Sequence, residues 1–255
     1  MQVTILGCGG AGGVPTISRG WGACDPADPR NRRRRPAILV QSREATILVD
    51  TPPDLRDQLL EAGVRHLDAV LYTHEHADHV HGLDDLREIN RAMQTSVPVY
   101  AAPETLRQIT RRFSYAFSGE EALGPILYRP ALTAHPITGP FRIRDVTVEP
   151  FEQDHGFSTT LGFRFGGVAY STDVVALPEA AFATLEGLDV WIVGCLTEHE
   201  HKTHASLGKV LRWMERVRPR RSVLTHMGPG LDYATLKARL PPGAEPAFDG
   251  MVITI

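Results

Sequence analysis

Hydrophobic and polar positions along the chain repeat with two periods. Short runs rich in β-branched residues recur at VTILG, AILVQS, ATILVD, DAVLYT, VPVYAA, VTVEPF, LGFRF, VAYST, DVWIVG, RSVLTH and MVITI, and each reads as a strand. Between them, PPDLRDQLLEAG sets Leu55, Leu59 and Leu60 on one helical face and stops at Gly63. ASLGKVLRWMERVRP carries Leu207, Val210, Leu211 and Met214 at helical spacing. In the first half, strands come in consecutive pairs, as at 37–50, which is hairpin behaviour rather than strict alternation of strand and helix. The chain therefore reads as α/β, with mixed sheets covered by helices. Residues 1–255 read as one domain, because Pro140 and Pro241-Pro242 look like turns and no repeat or linker interrupts the pattern.

The first strand runs into Gly7-Cys8-Gly9-Gly10-Ala11-Gly12, a literal G-x-G-x-x-G. A dinucleotide site needs a helix to begin inside that motif, so that its N-terminus meets the pyrophosphate. Here GVPTISRGWGACDPADPRNRRRRP follows, with proline and no apolar period. The glycines are expected to form a tight turn beside some other site.

Composition narrows the classes. The chain has 255 residues, 42% hydrophobic and 22% charged, with a net charge of −3. That balance supplies no general basic field for nucleic acid or acidic membrane. Cys8, Cys24 and Cys195 lie far apart, which argues for a reducing compartment and against a disulfide framework. No run reaches the ~18 apolar residues of a membrane span, and a cytoplasmic location is expected.

The chemistry concentrates at LYTHEHADHVHG, where a strand runs into His74, His76, Asp78 and His79. Four polar side chains packed this densely at a strand end are poor core material unless something ligates them. A divalent metal site is the economical explanation. His155 in FEQDHGF, Asp173 after VAYST and His226 after RSVLT stand where other strands stop. Together these are five histidines and two aspartates, enough for two metals.

A strand followed by H-x-H-x-D-H, preceded by ILVD and followed by separate His, Asp and His, resembles the metallo-β-lactamase superfamily. Within it, TILGCGGAGGVP, RNRRRRPAILV, CLTEHEHKTHASL and PAFDGMVI are most similar to the PhnP-like phosphoribosyl cyclic phosphodiesterases. The resemblance implies a four-layer αββα sandwich holding two divalent ions, zinc or manganese or iron. His74, His76 and His155 would bind one ion, Asp78, His79 and His226 the other, and Asp173 would bridge them. Asp50 would orient a ligand imidazole. His204 with Asp78 would form the catalytic pair, His204 near the leaving group. The resemblance also brings a cysteine-built structural zinc, but GWGACDPADPRN holds only Cys24, so no structural zinc is expected.

Two dications, two aspartates and one hydroxide leave such a site near one positive charge, suited to a phosphodiester and to water acidified at neutral pH. The expected reaction is hydrolysis of a small cyclic phosphate or nucleotide-like phosphodiester. RNase Z-type endonucleases and glyoxalase-like thioester hydrolases share the ligands, and a metal-binding module without activity is a further alternative. No long basic arm suited to gripping tRNA is present. Partners are expected to be a small phosphorylated substrate and a second copy of the chain, with no nucleic acid and no membrane. The run Arg30-Asn31-Arg32-Arg33-Arg34-Arg35 is by default a solvated face, with Arg32, Arg33 and Arg35 as the arginines that would reach substrate phosphates. His199 and His201 read as a solvated loop. Phe113, Tyr115 and Phe117 in FSYAFSG read as an edge strand or dimer contact.

Overall fold

The apolar runs pair into two seven-stranded sheets in a computed structural model, which describes residues 1–117 and 129–255. The first sheet contains β1 (Gln2–Gly7), β2 (Ala37–Gln41), β3 (Thr46–Val49), β4 (Ala69–Leu71), β5 (Val97–Ala101) and β6 (Leu132–Pro136). The second contains β7 (Phe141–Ile143), β8 (Val146–Asp154), β9 (Thr159–Phe165), β10 (Val168–Ser171), β11 (Val190–Gly194), β12 (Arg221–Thr225) and β13 (Ala244–Pro246). The last strand, β14 (Val252–Thr254), returns to the first sheet beside β1. In each sheet the early strands are antiparallel and the later ones parallel: β3 to β6 in the first, β10 to β13 in the second.

Strand periodicity divides the core. On β2, β3 and β4, the residues Ile38, Val40, Ile47, Val49, Ala69 and Leu71 join Phe163, Tyr170, Trp191 and Ile192 of the second sheet in one buried cluster. The alternate residues Leu39, Leu48 and Val70 join a second cluster on the opposite face. There the sheet is covered by α1 (Leu55–Glu61), α2 (Ala77–Val80), α3 (Leu86–Met93) and α4 (Pro103–Arg112). The second sheet is covered by α5 (Glu179–Thr184), α6 (Leu207–Val217) and α7 (Tyr233–Arg239). The result is the αββα sandwich. Burial on both faces is why these strands read as unbroken apolar runs.

The structure corrects three expectations. Leu55 and Leu59 of α1 are buried, but Leu60 faces solvent. The helix uses a narrower apolar stripe than three leucines suggest. Ser114–Phe117 forms a 3₁₀ turn rather than an edge strand. Phe113 and Phe117 pack against the helical cluster of their own chain, and the Tyr115 hydroxyl donates to Asp84; positions 118 and 119 of that motif lie outside the described residues. Finally, β6, β7 and β13 were not anticipated. All three are edge strands, and β6 and β13 contain proline. A proline is tolerated there because one side of an edge needs no ladder partner.

Candidate metal centre

Parallel strands of the two sheets end along one rim, and the loops leaving that rim carry the chemistry. Asp50 follows β3, the HEHADH loop follows β4, Asp173 follows β10, the 195–206 loop follows β11 and His226 follows β12. The carboxyl ends of parallel strands are where open α/β sheets bind ligands. Three of these residues have left-handed backbone: Asp50 at φ 66°, Asp173 at φ 48° and His226 at φ 54°. Such conformations cost ~1–3 kcal/mol each and persist where the surroundings over-determine them. Here each turns the chain sharply at a strand end.

The structure brings the seven expected donors together in two groups. One consists of His74, His76, His155 and Asp173, the other of Asp78, His79, Asp173 and His226, with the donor atoms of each group all within 4.8 Å of one another. Asp173 belongs to both. Its Oδ1 lies 2.9 Å from His226 Nε2 and 3.2 Å from His79 Nε2. Its Oδ2 lies 3.6 Å from Nε2 of both His74 and His155.

Hydrogen bonds behind the rings fix which nitrogen faces the centre. His79 Nδ1 donates to Asp50 Oδ2 at 2.7 Å, and His155 Nδ1 donates to the Thr203 carbonyl at 2.7 Å. The Asp50 carboxylate also accepts from the Thr73 amide and hydroxyl, both at 2.9 Å. That hydroxyl lies 3.0 Å from His74 Nδ1. The Nε2 atoms therefore face the cluster, and four buried polar atoms there lack hydrogen-bond partners: His74 Nε2, His79 Nε2, His226 Nε2 and Asp78 Oδ2. Leaving them unsatisfied is costly. Divalent cations fit this donor set, since imidazole nitrogen and carboxylate oxygen are ordinary zinc or manganese ligands.

Electrostatics agree with a cation site. Burial disfavours charge on Asp173 and Asp78, but the surrounding imidazoles hold both carboxyls well below their usual range. Burial would lower His226 too; the Asp173 and Asp78 carboxylates outweigh it and carry the imidazole up to about 9. Carboxylates that stay ionised this deep in the fold are what a cation would pair with.

His204 lies against this centre without belonging to either donor group. Its ring is 4.9 Å from those of His155 and His226, and its Nδ1 is 4.0 Å from Asp173 Oδ2. Burial, then the positive neighbour His226, push its imidazole down to about 3. An anion within hydrogen-bond reach would raise it again. A cleft of about 300 Å³ opens here, lined by Ala11, His76, Asp78, His155, Phe157, Ser158, Asp173, Thr203 and His204.

The glycine turn serves this rim. Gly9 bridges to Met227, and a Cβ on Gly10 would meet Leu196 at 2.8 Å and the His226 ring at 3.6 Å. A Cβ on Gly9 would stand 3.0 Å from the Arg34 carbonyl, so the missing side chain helps the turn lie this close.

None of the five arginines of the 30–35 run lines the cleft. Arg33 is buried, donating to the carbonyls of Gly228 and Leu231 and to Asn31 Oδ1. Arg35 pairs with Asp54 at 2.8 Å, while Arg32 is exposed and stacks over Trp21. Arg34 pairs with Asp249 and Glu61, and Arg30 with Asp28. The substrate role expected of Arg33 and Arg35 is corrected: their guanidiniums are spent on the fold. His199 and His201 are exposed loop residues, as expected. Thr73, Thr203 and Phe157 escaped the sequence reading, although the first and last directly adjoin or nearly adjoin ligand histidines.

An αββα sandwich with imidazole and carboxylate donors converging at its strand ends defines a metal-dependent hydrolase of the metallo-β-lactamase fold. The model of the beta-lactamase superfamily domain matches residues 45–227. A crystal structure described as a new diphosphatase from the PhnP family is 32% identical, with a TM-score of 0.91, covering 100% of this chain and 97% of that one. An octanoyltransferase of Porphyromonas gingivalis is 33% identical over 98% of this chain and 51% of its own length. A ribonuclease Z of Bradyrhizobium sp. (strain ORS 278) is 31% identical over 54% of this chain and 46% of its own length. The chain thus spans about half the length of these curated relatives. It belongs to the beta-lactamase superfamily, in the PhnP family.

Proposed function

We propose that the protein is a two-metal phosphodiesterase acting on a small phosphodiester or diphosphate. His204 carries the reading. It is an imidazole beside both donor groups that neither group uses, and such a group can give a proton to a departing alkoxide. Two divalent ions held by the seven donors would acidify water and neutralise charge on phosphoryl oxygens. Asp173, shared by both groups, would set the spacing between them. Asp50 and the Thr203 carbonyl hold His79 and His155 in the tautomer that faces inward. His204 would hydrogen-bond the anion and, once that anion has raised its pKa, protonate the leaving oxygen. The PhnP-family diphosphatase, alike over the whole chain, supports a phosphoryl substrate.

A second reading has its own observation. The relative that matches 98% of this chain is named an octanoyltransferase, which would fit an acyl-ester or thioester hydrolase. Because this chain covers 51% of that relative, octanoyl transfer fits its other half equally well. Assaying metal-loaded protein on bis-p-nitrophenyl phosphate, 2′,3′-cyclic nucleotides, S-lactoylglutathione and an octanoyl thioester separates the two. Turnover of phosphodiesters alone is the expected result. Thioester turnover without phosphodiester turnover would transfer the assignment to the second reading.

A further inference from the structure

Phe157 is the feature of the rim that the proposed chemistry does not use. Its side chain is 86% exposed, yet the backbone beneath it is tightly held. His155 N–H donates to the Ser158 carbonyl, Phe157 N–H to the His155 carbonyl, and Gly156 N–H to Asp154 Oδ1. Gly156 has φ +84°, and a Cβ there would stand 2.5 Å from the Lys202 carbonyl. The turn is thus sealed against the loop that carries Thr203 and His204. A phenyl ring held outward on a fixed turn gives up the stabilisation of burial. It does so in the lining of the metal cleft, on the wall it shares with Thr203 and His204.

We infer that Phe157 is a stacking platform for the leaving group, and that this group is a nucleoside. The inference rests on the phosphodiesterase reading, which puts the leaving oxygen at His204 and hence its remainder beside Phe157. The lining decides between a ring and a chain. Among the described residues, the only apolar side chain in the lining apart from Phe157 is that of Ala11; the rest are His, Asp, Ser and Thr. An octanoyl chain needs apolar walls on several sides, whereas a planar base needs one aromatic face and tolerates polar edges. A cation-binding centre beside a single aromatic face matches a phosphate joined to a base.

Equilibrium binding to the metal-loaded chain tests this without turnover. The probes are AMP, ribose 5-phosphate and inorganic phosphate, against wild type, Phe157→Ala and Phe157→Trp. Base stacking on an aromatic side chain is worth a factor of about 5–150 in affinity. Wild type should bind AMP at least about tenfold more tightly than ribose 5-phosphate. Phe157→Ala should abolish that preference while leaving inorganic phosphate binding unchanged, and Phe157→Trp should keep it. Equal binding of AMP and ribose 5-phosphate by wild type, or an AMP preference surviving in Phe157→Ala, would overturn the nucleoside while the phosphodiesterase reading stands. Failure of all three probes to bind would overturn both.

Discussion

Asp50, Asp173 and His226 each close a strand in left-handed backbone, and the cost of that geometry predicts how they respond to substitution. Asp50 is fully buried and satisfies three donors. Asp50→Asn keeps an acceptor and tolerates φ > 0, whereas Asp50→Ala does neither well. Loss of a group that orients a ligand imidazole typically costs 10–100-fold in metal affinity or rate. Asp50→Ala should fall at the upper end of that range and Asp50→Asn nearer the lower, measured by metal titration and kcat. Asp173→Ala should be worse: at least one metal lost and nearly all turnover gone, read by elemental analysis. Retained stoichiometry with near wild-type rate would remove Asp173 from the bridging position. For His204→Ala, the metals should stay, and loss should follow the leaving group. A ribose alkoxide should slow by about 10²–10⁴-fold, and p-nitrophenolate, stable as an anion, much less. Equal losses would make His204 a phosphate-positioning residue. Asp173 and His226 were legible because ligand types crowd at strand ends, whereas Asp50 and His204 came only with the family resemblance. Thr203 was not legible, because it acts through its carbonyl, which every residue possesses.

Elements inside the sheets announced themselves and those at the margins did not. Strands such as β3 and β11 are buried on both faces and show as continuous apolar runs. In β6 the pattern is LTAHP with mostly half-buried or exposed positions, which resembles a loop. The arginine run misled for a related reason: charge density says nothing of which guanidinium turns inward. Arg33 ties the 228–231 loop, just beyond His226, to the segment preceding β2. Asp232 adds to the same junction. It caps α7 by accepting from Thr235 N–H at 2.9 Å, and accepts from Asp25 N–H and Asn31 Nδ2. Burial would raise its carboxyl, but those donors hold it down to about 2. A carboxyl depressed on folding stabilises above its unfolded pKa and loses that contribution as pH falls through its folded one. Asp232→Asn should therefore destabilise at neutral pH by up to about 1 kcal/mol, within the range for a helix cap and reduced by solvent screening. Denaturant melts should show the difference from wild type shrinking between pH about 4 and about 2. A difference constant across that window would contradict the assignment.

At the scale of the whole molecule, the donors come from both sheets: His74, His76, Asp78 and His79 from the first, His155, Asp173 and His226 from the second. Ligands that bind only the folded state stabilise it by mass action, so ions at this rim should staple the sheets together and chelation should lower the melting temperature. Mixed sheets covered by helices were legible from paired strands and helical stripes, and the four-layer order came with the family resemblance. The substrate was not legible, since one scaffold hosts many chemistries. The central claim is that two ions at the shared aspartate perform phosphodiester hydrolysis. Stepwise zinc or manganese titration of the chelated protein, following bound metal and bis-p-nitrophenyl phosphate turnover together, tests it most directly. Binding should saturate at two ions per chain, not three, with turnover rising as the second is taken up. Full turnover at one ion, or two bound ions with no phosphodiester turnover, would contradict the account.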